Sequence, residues 1–240
     1  MGDTAVAPPE IQRVVFPHPG ISYEQTPIAS YKNFDWKALG NNMDAVHFAR
    51  ASGFKETGMS VNEVALLYSC LEQMGRGYIV ELGRNYGTST RLFIQHVIRY
   101  GGSLESWDLK NWPGYLETMK ENGYDHRGKS LVVGGESYDV WLREGVHSIK
   151  TPINREDRFV DFLLIDTEHG LEDALGEYMR WRQYLKSGAF VAFHDACLPA
   201  VARAIDIAKE VELHFDGRIA QEFVNERIDG FGVHVFRWKR

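Results

Sequence analysis

The stretch Tyr78-Ile-Val-Glu81-Leu-Gly83-Arg-Asn-Tyr-Gly87-Thr-Ser89-Thr-Arg-Leu-Phe-Ile narrows the folds open to this chain more than any other. Tyr78 to Val80 is an apolar run of strand length. A glycine-bearing turn follows, and Leu92, Phe93, Val97 and Tyr100 then repeat at helical spacing. Strand, glycine turn and helix in that order set a helix N-terminus, with unpaired N–H groups, beside the C-terminal end of a strand. Gly83 and Gly87 can take φ > 0 and let a ligand approach the backbone, and Glu81 stands where an acceptor would face that ligand. The spacing Glu-x-Gly-x-x-x-Gly is neither the Gly-x-Gly-x-x-Gly of a dinucleotide fold nor a P-loop. No lysine follows Gly87, which argues against a nucleoside triphosphate. An acid ahead of the glycines suits a ligand with a cationic end better than a pyrophosphate.

Around this stretch the pattern alternates. Ser60-Val-Asn-Glu63 reads as a capping box opening a helix with Val64, Leu67, Cys70 or Leu71, and Met74 on one face, ended by Gly75 and Gly77. Ser103–Asp108 reads as a second strand and Ser130–Ser137 as a third, before a helix over Tyr138–Arg143. Phe159–Asp166 and Ala189–Asp195 read as the fourth and fifth strands. Between them a helix carries Leu171, Leu175, Tyr178 and Leu185 and stops at Lys186-Ser-Gly188. A helix around 200–211 and short strands near Glu212–Phe215 and Gly232–Trp238 close the chain. This order predicts an α/β fold: a doubly wound, mostly parallel, seven-stranded Rossmann-like sheet with an antiparallel C-terminal edge. Glu105 alternates with apolar neighbours and reads as a solvated strand residue.

Residues 1–57 hold four of the eight prolines in their first 19 positions and lack strong periodicity. They read as an N-terminal arm, extended over 1–30, with a short helix from about Asp35 to Arg50; it serves as a lid or an oligomer contact. Residues 58–240 then form one domain. The net charge is −6 with no long basic run, so a footprint for nucleic acid is missing. No apolar run approaches the ~20 residues of a membrane span. Cys70 and Cys197 make no metal-binding spacing, and no secretory leader is evident, so a reduced cytoplasmic setting is expected. A homo-oligomer stays open.

Polar residues end several apolar strands: Glu81 to Gly87, Asp166 with His169, and His194 with Asp195. Ligands of open α/β sheets bind at that rim, where strand order reverses. Asp108 lies 21 residues past Gly87, about the interval at which a second-strand acid accepts hydrogen bonds from a ribose diol; otherwise it is a turn aspartate. Glu136 and Ser137 are adenine-side candidates, and Ser137 alternatively a helix N-cap.

The Glu81–Gly87 turn resembles the first motif of class I S-adenosylmethionine-dependent methyltransferases. The run Phe-Leu-Leu-Ile-Asp166-x-x-His169, then Trp181, then Leu-x-x-Gly-Ala-Phe-Val-Ala-Phe-His194-Asp195, is similar to the metal-dependent small-molecule O-methyltransferases. These include catechol and macrolide-sugar enzymes and the cephalosporin hydroxylase-like group; the likeness spans roughly residues 77–200. It implies S-adenosylmethionine held by Glu81, Gly83, Gly87, Ser89, Asp108, Glu136, Ser137 and Asp166. It also implies a divalent metal, magnesium foremost, held by Asp166 and Asp195, with His169 as the base. His194 departs from the pattern, where an acidic ligand is common; it can coordinate the metal, hold substrate or turn into the core.

The implied activity is O-methylation of a small hydroxylated molecule, a sugar or phenol of secondary metabolism. A hydroxyl is a poor nucleophile until its proton leaves; a metal lowers its pKa and a histidine can take the proton near neutrality. Two alternatives compete: a hydroxylase-like or other metal enzyme on the same sheet, and a non-catalytic cofactor-binding protein. A nicotinamide dehydrogenase is disfavoured by the glycine spacing. Neither the arm nor Lys110–Gly128 carries a readable code for the acceptor.

Overall fold

A computed structural model describes residues 12–16, 59, 61–85, 87–109, 125–127, 130–133, 136–145, 159–215, 219–226 and 232–239. The elements in chain order are β1 (Gln12–Phe16), α1 (Val61–Met74), β2 (Gly77–Leu82), α2 (Thr88–Tyr100), β3 (Gly102–Asp108), β4 (Asp125–Arg127), β5 (Ser130–Val133), β6 (Glu136–Glu144), β7 (Val160–Ile165), α3 (Leu171–Trp181), β8 (Leu185–His194), α4 (Pro199–Phe215), β9 (Ile219–Glu226) and β10 (Gly232–Trp238). The strands join in one sheet ordered β1-β9-β10-β8-β7-β2-β3-β6-β5-β4, ten strands among the described residues where seven were expected. From β2 the chain winds outward through β3 and β6, then returns to β7 on the other side and continues to β8, all in parallel. The crevice between β2 and β7 is therefore the switch point. β10 runs antiparallel to β8 and β9 as expected at that side, while β1, from the arm, adds a parallel outermost strand beside β9.

Strand alternation sorts the core onto two faces. Ile79, Phe162, Leu164, Phe190, Ala192, Val233 and Val235 pack under α1 and α2, against Val64, Leu67, Cys70, Leu71, Leu92, Phe93 and Val97. Val80, Leu82, Leu163, Ile165, Val191 and Phe193 pack on the other face under α3 and α4, against Tyr178, Trp181, Ala204 and Ile205. Each fully buried Leu, Ile or Phe contributes about 1.5–3 kcal/mol. Gly75, at φ 67°, ends α1 by donating its N–H to the Leu71 carbonyl, and Gly101 ends α2 on the Val97 carbonyl. Among the described residues no helix is long and apolar enough to cross a membrane.

Four expectations are corrected. The parallel partner of β3 is β6, Glu136–Glu144, not Ser130–Ser137; Ser130–Val133 folds back on it as antiparallel β5, and no helix forms over Tyr138–Arg143. Glu212 to Phe215 finish α4, and the strand comes later, at Ile219. α3 stops at Trp181 in a 3-10 turn over Arg182–Tyr184, and Leu185 already begins β8. Glu105 is fully buried, bonded by the Tyr78 hydroxyl and ion-paired with Arg143 Nε at 3.1 Å. In a sheet covered on both faces, a polar residue in an alternating pattern has no water to meet. Ser60, the expected helix around 35–50 and Lys110–Tyr124 lie outside the described residues.

Candidate active site

At the C-terminal ends of β2, β3 and β7 the chain is laced together by its own backbone. The Gly83 N–H donates to the Trp107 carbonyl at 2.9 Å and the Asp166 N–H to the Leu82 carbonyl at 2.7 Å. Gly83 has φ 91°, and a Cβ there would lie 1.7 Å from the Asp166 carbonyl oxygen. Its missing side chain thus admits the end of β7; the close approach expected of a ligand is taken by the protein itself. Gly87, at φ 81°, closes the turn by donating to the Arg84 carbonyl at 2.7 Å and precedes α2, whose start has no side-chain cap. Asp108 Oδ2 accepts the Arg84 and Asn85 N–H groups at 3.0 and 2.7 Å, so this acid braces the glycine turn from the neighbouring strand. The buried Arg84 guanidinium donates to the Ser106 carbonyl at 2.9 Å and the Arg143 carbonyl at 3.2 Å, tying the turn to β3 and β6.

Glu81 lies behind this turn. Its carboxylate accepts the hydroxyls of Ser89 at 2.5 Å, Thr90 at 2.7 Å and Ser106, with none of the residue exposed. Burial pushes its pKa up to about 7, although the three hydroxyls and Arg84 pull the other way. Glu81 and Ser89 therefore spend their polar atoms on each other, where they were expected to face a ligand. Glu136 and Ser137 are exposed at the start of β6, whose far end, Glu144, pairs with Asp108. They stand at the opposite edge of the sheet from the rim, and the adenine-side assignment is withdrawn on that register. The Gly-Gly pair separating β5 from β6 in sequence was the available signal for a hairpin. Arg84, by contrast, gave no sequence signal.

The second cluster gathers at the ends of β7 and β8. Asp166 follows β7, His169 sits in the loop that Gly170 leads into α3, and Asp195 follows β8 with φ 52°, a left-handed conformation that marks local strain. One donor atom each of Asp166, His169 and Asp195 lie within 4.8 Å of one another. His169 Nε2 is 2.6 Å from Asp195 Oδ2, and its side chain is half exposed. The Thr167 hydroxyl donates to Glu177 at 2.7 Å and anchors this loop; burial pushes the Glu177 pKa up to about 7. His194, 5% exposed, turns inward: Nδ1 is 2.9 Å from Asp166 Oδ1 and 3.3 Å from Asp195 Oδ2, and Nε2 is 3.4 Å from Glu63 Oε1. Burial alone would lower its pKa, but the carboxylates of Asp166, Asp195 and Glu63 raise it well above the usual histidine value. Of the roles open to His194, the structure shows the buried one, with carboxylates facing both ring nitrogens. Glu63, read from sequence as a helix cap, is the residue missed here.

The site suits a divalent cation: the carboxylates of Asp166 and Asp195 converge beside the His169 ring, and Asp195 Oδ1 is buried with no hydrogen-bond partner among the described residues. The rim suits a nucleoside thioether, with a braced glycine turn, an uncapped helix start and Asp108 at the second strand's end.

Residues 80–196 match the family model of a methyltransferase domain. Among solved structures, an O-methyltransferase from Bacillus cereus bound to S-adenosylhomocysteine superposes with a TM-score of 0.56, at 11% identity, over 83% of this chain and 90% of that one. TomG from Streptomyces achromogenes, an O-methyltransferase of tomaymycin synthesis bound to S-adenosylmethionine, gives 0.54 at 14% identity, over 83% and 89%. The calicheamicin-pathway TDP-rhamnose 3'-O-methyltransferase CalS11 gives 0.51 at 18% identity, over 73% and 78%. No curated protein matches in sequence. The chain has the class I fold of S-adenosylmethionine-dependent methyltransferases.

Proposed function

We propose that this protein transfers the methyl group of S-adenosylmethionine to a hydroxyl of a small molecule, a sugar or phenol, with a divalent cation assisting. The observation that carries the reading is the convergence of Asp166, His169 and Asp195 on the rim beside the Gly83 turn. S-adenosylmethionine supplies the electrophilic methyl on its sulfonium. Asp108 and the turn from Gly83 to Gly87 would hold its nucleoside, with Glu81 and Ser89 keeping that turn in shape. A divalent ion, which Asp166 and Asp195 would hold, supplies positive charge that favours ionisation of the acceptor hydroxyl. His169 takes the hydroxyl proton. With its Nε2 hydrogen given to Asp195 Oδ2, Nδ1 carries the lone pair, and the half-exposed ring is open to an acceptor. The remaining task is alignment of oxygen, carbon and sulfur, which can supply roughly 7–11 kcal/mol of the barrier.

Calorimetry with S-adenosylhomocysteine and Mg²⁺, followed by methyl transfer to a panel of sugars and phenols with and without EDTA, tests this. Binding of both and loss of turnover with EDTA are expected. Turnover that survives EDTA unchanged would remove the metal from the mechanism while leaving methyl transfer standing. Absence of any heat with S-adenosylhomocysteine would remove the cofactor itself.

A further inference from the structure

Glu63 is a carboxylate that this chemistry does not use, yet it lies fully buried on the first turn of α1. Its Oε1 accepts the Gly232 N–H at 2.9 Å and stands 3.4 Å from His194 Nε2. The other nitrogen of the same ring is 2.9 Å from Asp166 Oδ1 and 3.3 Å from Asp195 Oδ2. One buried imidazole thus has the Glu63 carboxylate behind it, in ion-pair contact rather than hydrogen-bonded, and in front of it both carboxylates of the candidate cation site. Burying a carboxylate is costly unless it is bonded and paired, and Glu63 directs the same oxygen at the start of β10 and at the end of β8. We propose that Glu63 is a positioning residue, which through His194 sets the separation of the Asp166 and Asp195 carboxylates for a divalent cation. This rests on the metal-assisted reading above. Partners one layer behind the donors, the place His194 takes here, typically change metal affinity about 10- to 100-fold, and Glu63 acts through that ring.

The test uses Mn²⁺ as the probe, its binding followed by electron paramagnetic resonance on the full chain, with S-adenosylhomocysteine affinity by calorimetry as the control. Glu63→Ala is expected to bind Mn²⁺ about 10-fold more weakly, the lower end of that range, with S-adenosylhomocysteine affinity within about twofold, because Glu63 bonds the Gly232 N–H and faces His194 on the side of the cation site. Glu63→Gln, which keeps an acceptor oxygen for Gly232 and the ring, is expected to restore most of the lost affinity. Should Glu63→Ala not fold, Glu63→Asp, with the carboxylate withdrawn by one methylene, takes its place with about a tenfold loss expected. A folded variant with wild-type Mn²⁺ affinity overturns the positioning role, as does equal loss of Mn²⁺ and S-adenosylhomocysteine affinity, which would make Glu63 a residue of the fold alone. Wild-type protein that binds no Mn²⁺ overturns the metal reading beneath it, and this inference with it.

Discussion

Gly83 and His169 mark two ways a single residue carries weight at this rim. Gly83 works by absence: its φ of 91° and the 1.7 Å between a built Cβ and the Asp166 carbonyl leave no room for a side chain. Gly83→Ala is expected to destabilise the protein by about 3 kcal/mol or more, read as a lowered urea midpoint at unchanged slope. His169 works by presence, with Nε2 on Asp195 and the ring half exposed. His169→Ala is expected to lower kcat about 10²- to 10⁴-fold while cofactor affinity, measured by calorimetry, holds. Equal kcat in the variant would exclude it as the base. The resemblance to metal-dependent O-methyltransferases singled out His169, three past a strand-end acid. The inward turn of His194 stood among three open roles and the contacts of Glu63 could not be read from the sequence, because each depends on a neighbour remote in sequence, 169 positions away for Glu63 and Gly232.

At the scale of elements, β2, its turn and α2 behave as one unit held by Glu81. Burial raises the folded-state pKa of Glu81 from 4.5 to about 7, so the folded protein binds that proton more tightly than the unfolded chain. The stabilisation is full below pH 4.5 and is lost as pH rises through 7, and Glu177 acts in the same sense. Thermal unfolding should show the melting temperature falling between pH 4.5 and 7, with Glu81→Gln flattening part of that slope; an unchanged slope would sink the assignment. Element boundaries were legible where local chemistry sets them, as at Gly75 and Gly101. They were misread at β6, where the pairing partner decides: Glu136 to Glu144 became a parallel strand because β3 lies beside it, a contact no local pattern displays.

Across the whole molecule, stability is distributed between the rim and the far side of the sheet. There Glu222 joins Lys209 Nζ at 2.5 Å and His234 Nε2 at 3.3 Å. Burial alone would raise the Glu222 pKa, but His234 and Lys209 outweigh it and hold the carboxyl down at about 2. This depressed value stabilises the fold above pH 4.5, and the contribution is lost as pH falls through 2; Glu222→Gln should blunt that acid limb of the denaturation curve. A ligand that binds only the folded state should also act globally: S-adenosylhomocysteine at 100 times its Kd adds about 2.7 kcal/mol, visible as a rise in melting temperature. The amino-acid sequence by itself determined the alternation of strands and helices, the glycine turn and the acids at strand ends, because these follow from hydrophobic period and backbone freedom within a few residues. Only the tertiary structure decided that ten strands share one sheet, that Glu105 and Glu81 are buried, and that Glu63, His194, Asp166 and Asp195 meet. Such facts depend on which segments become neighbours, and that is set by the packing of the whole chain.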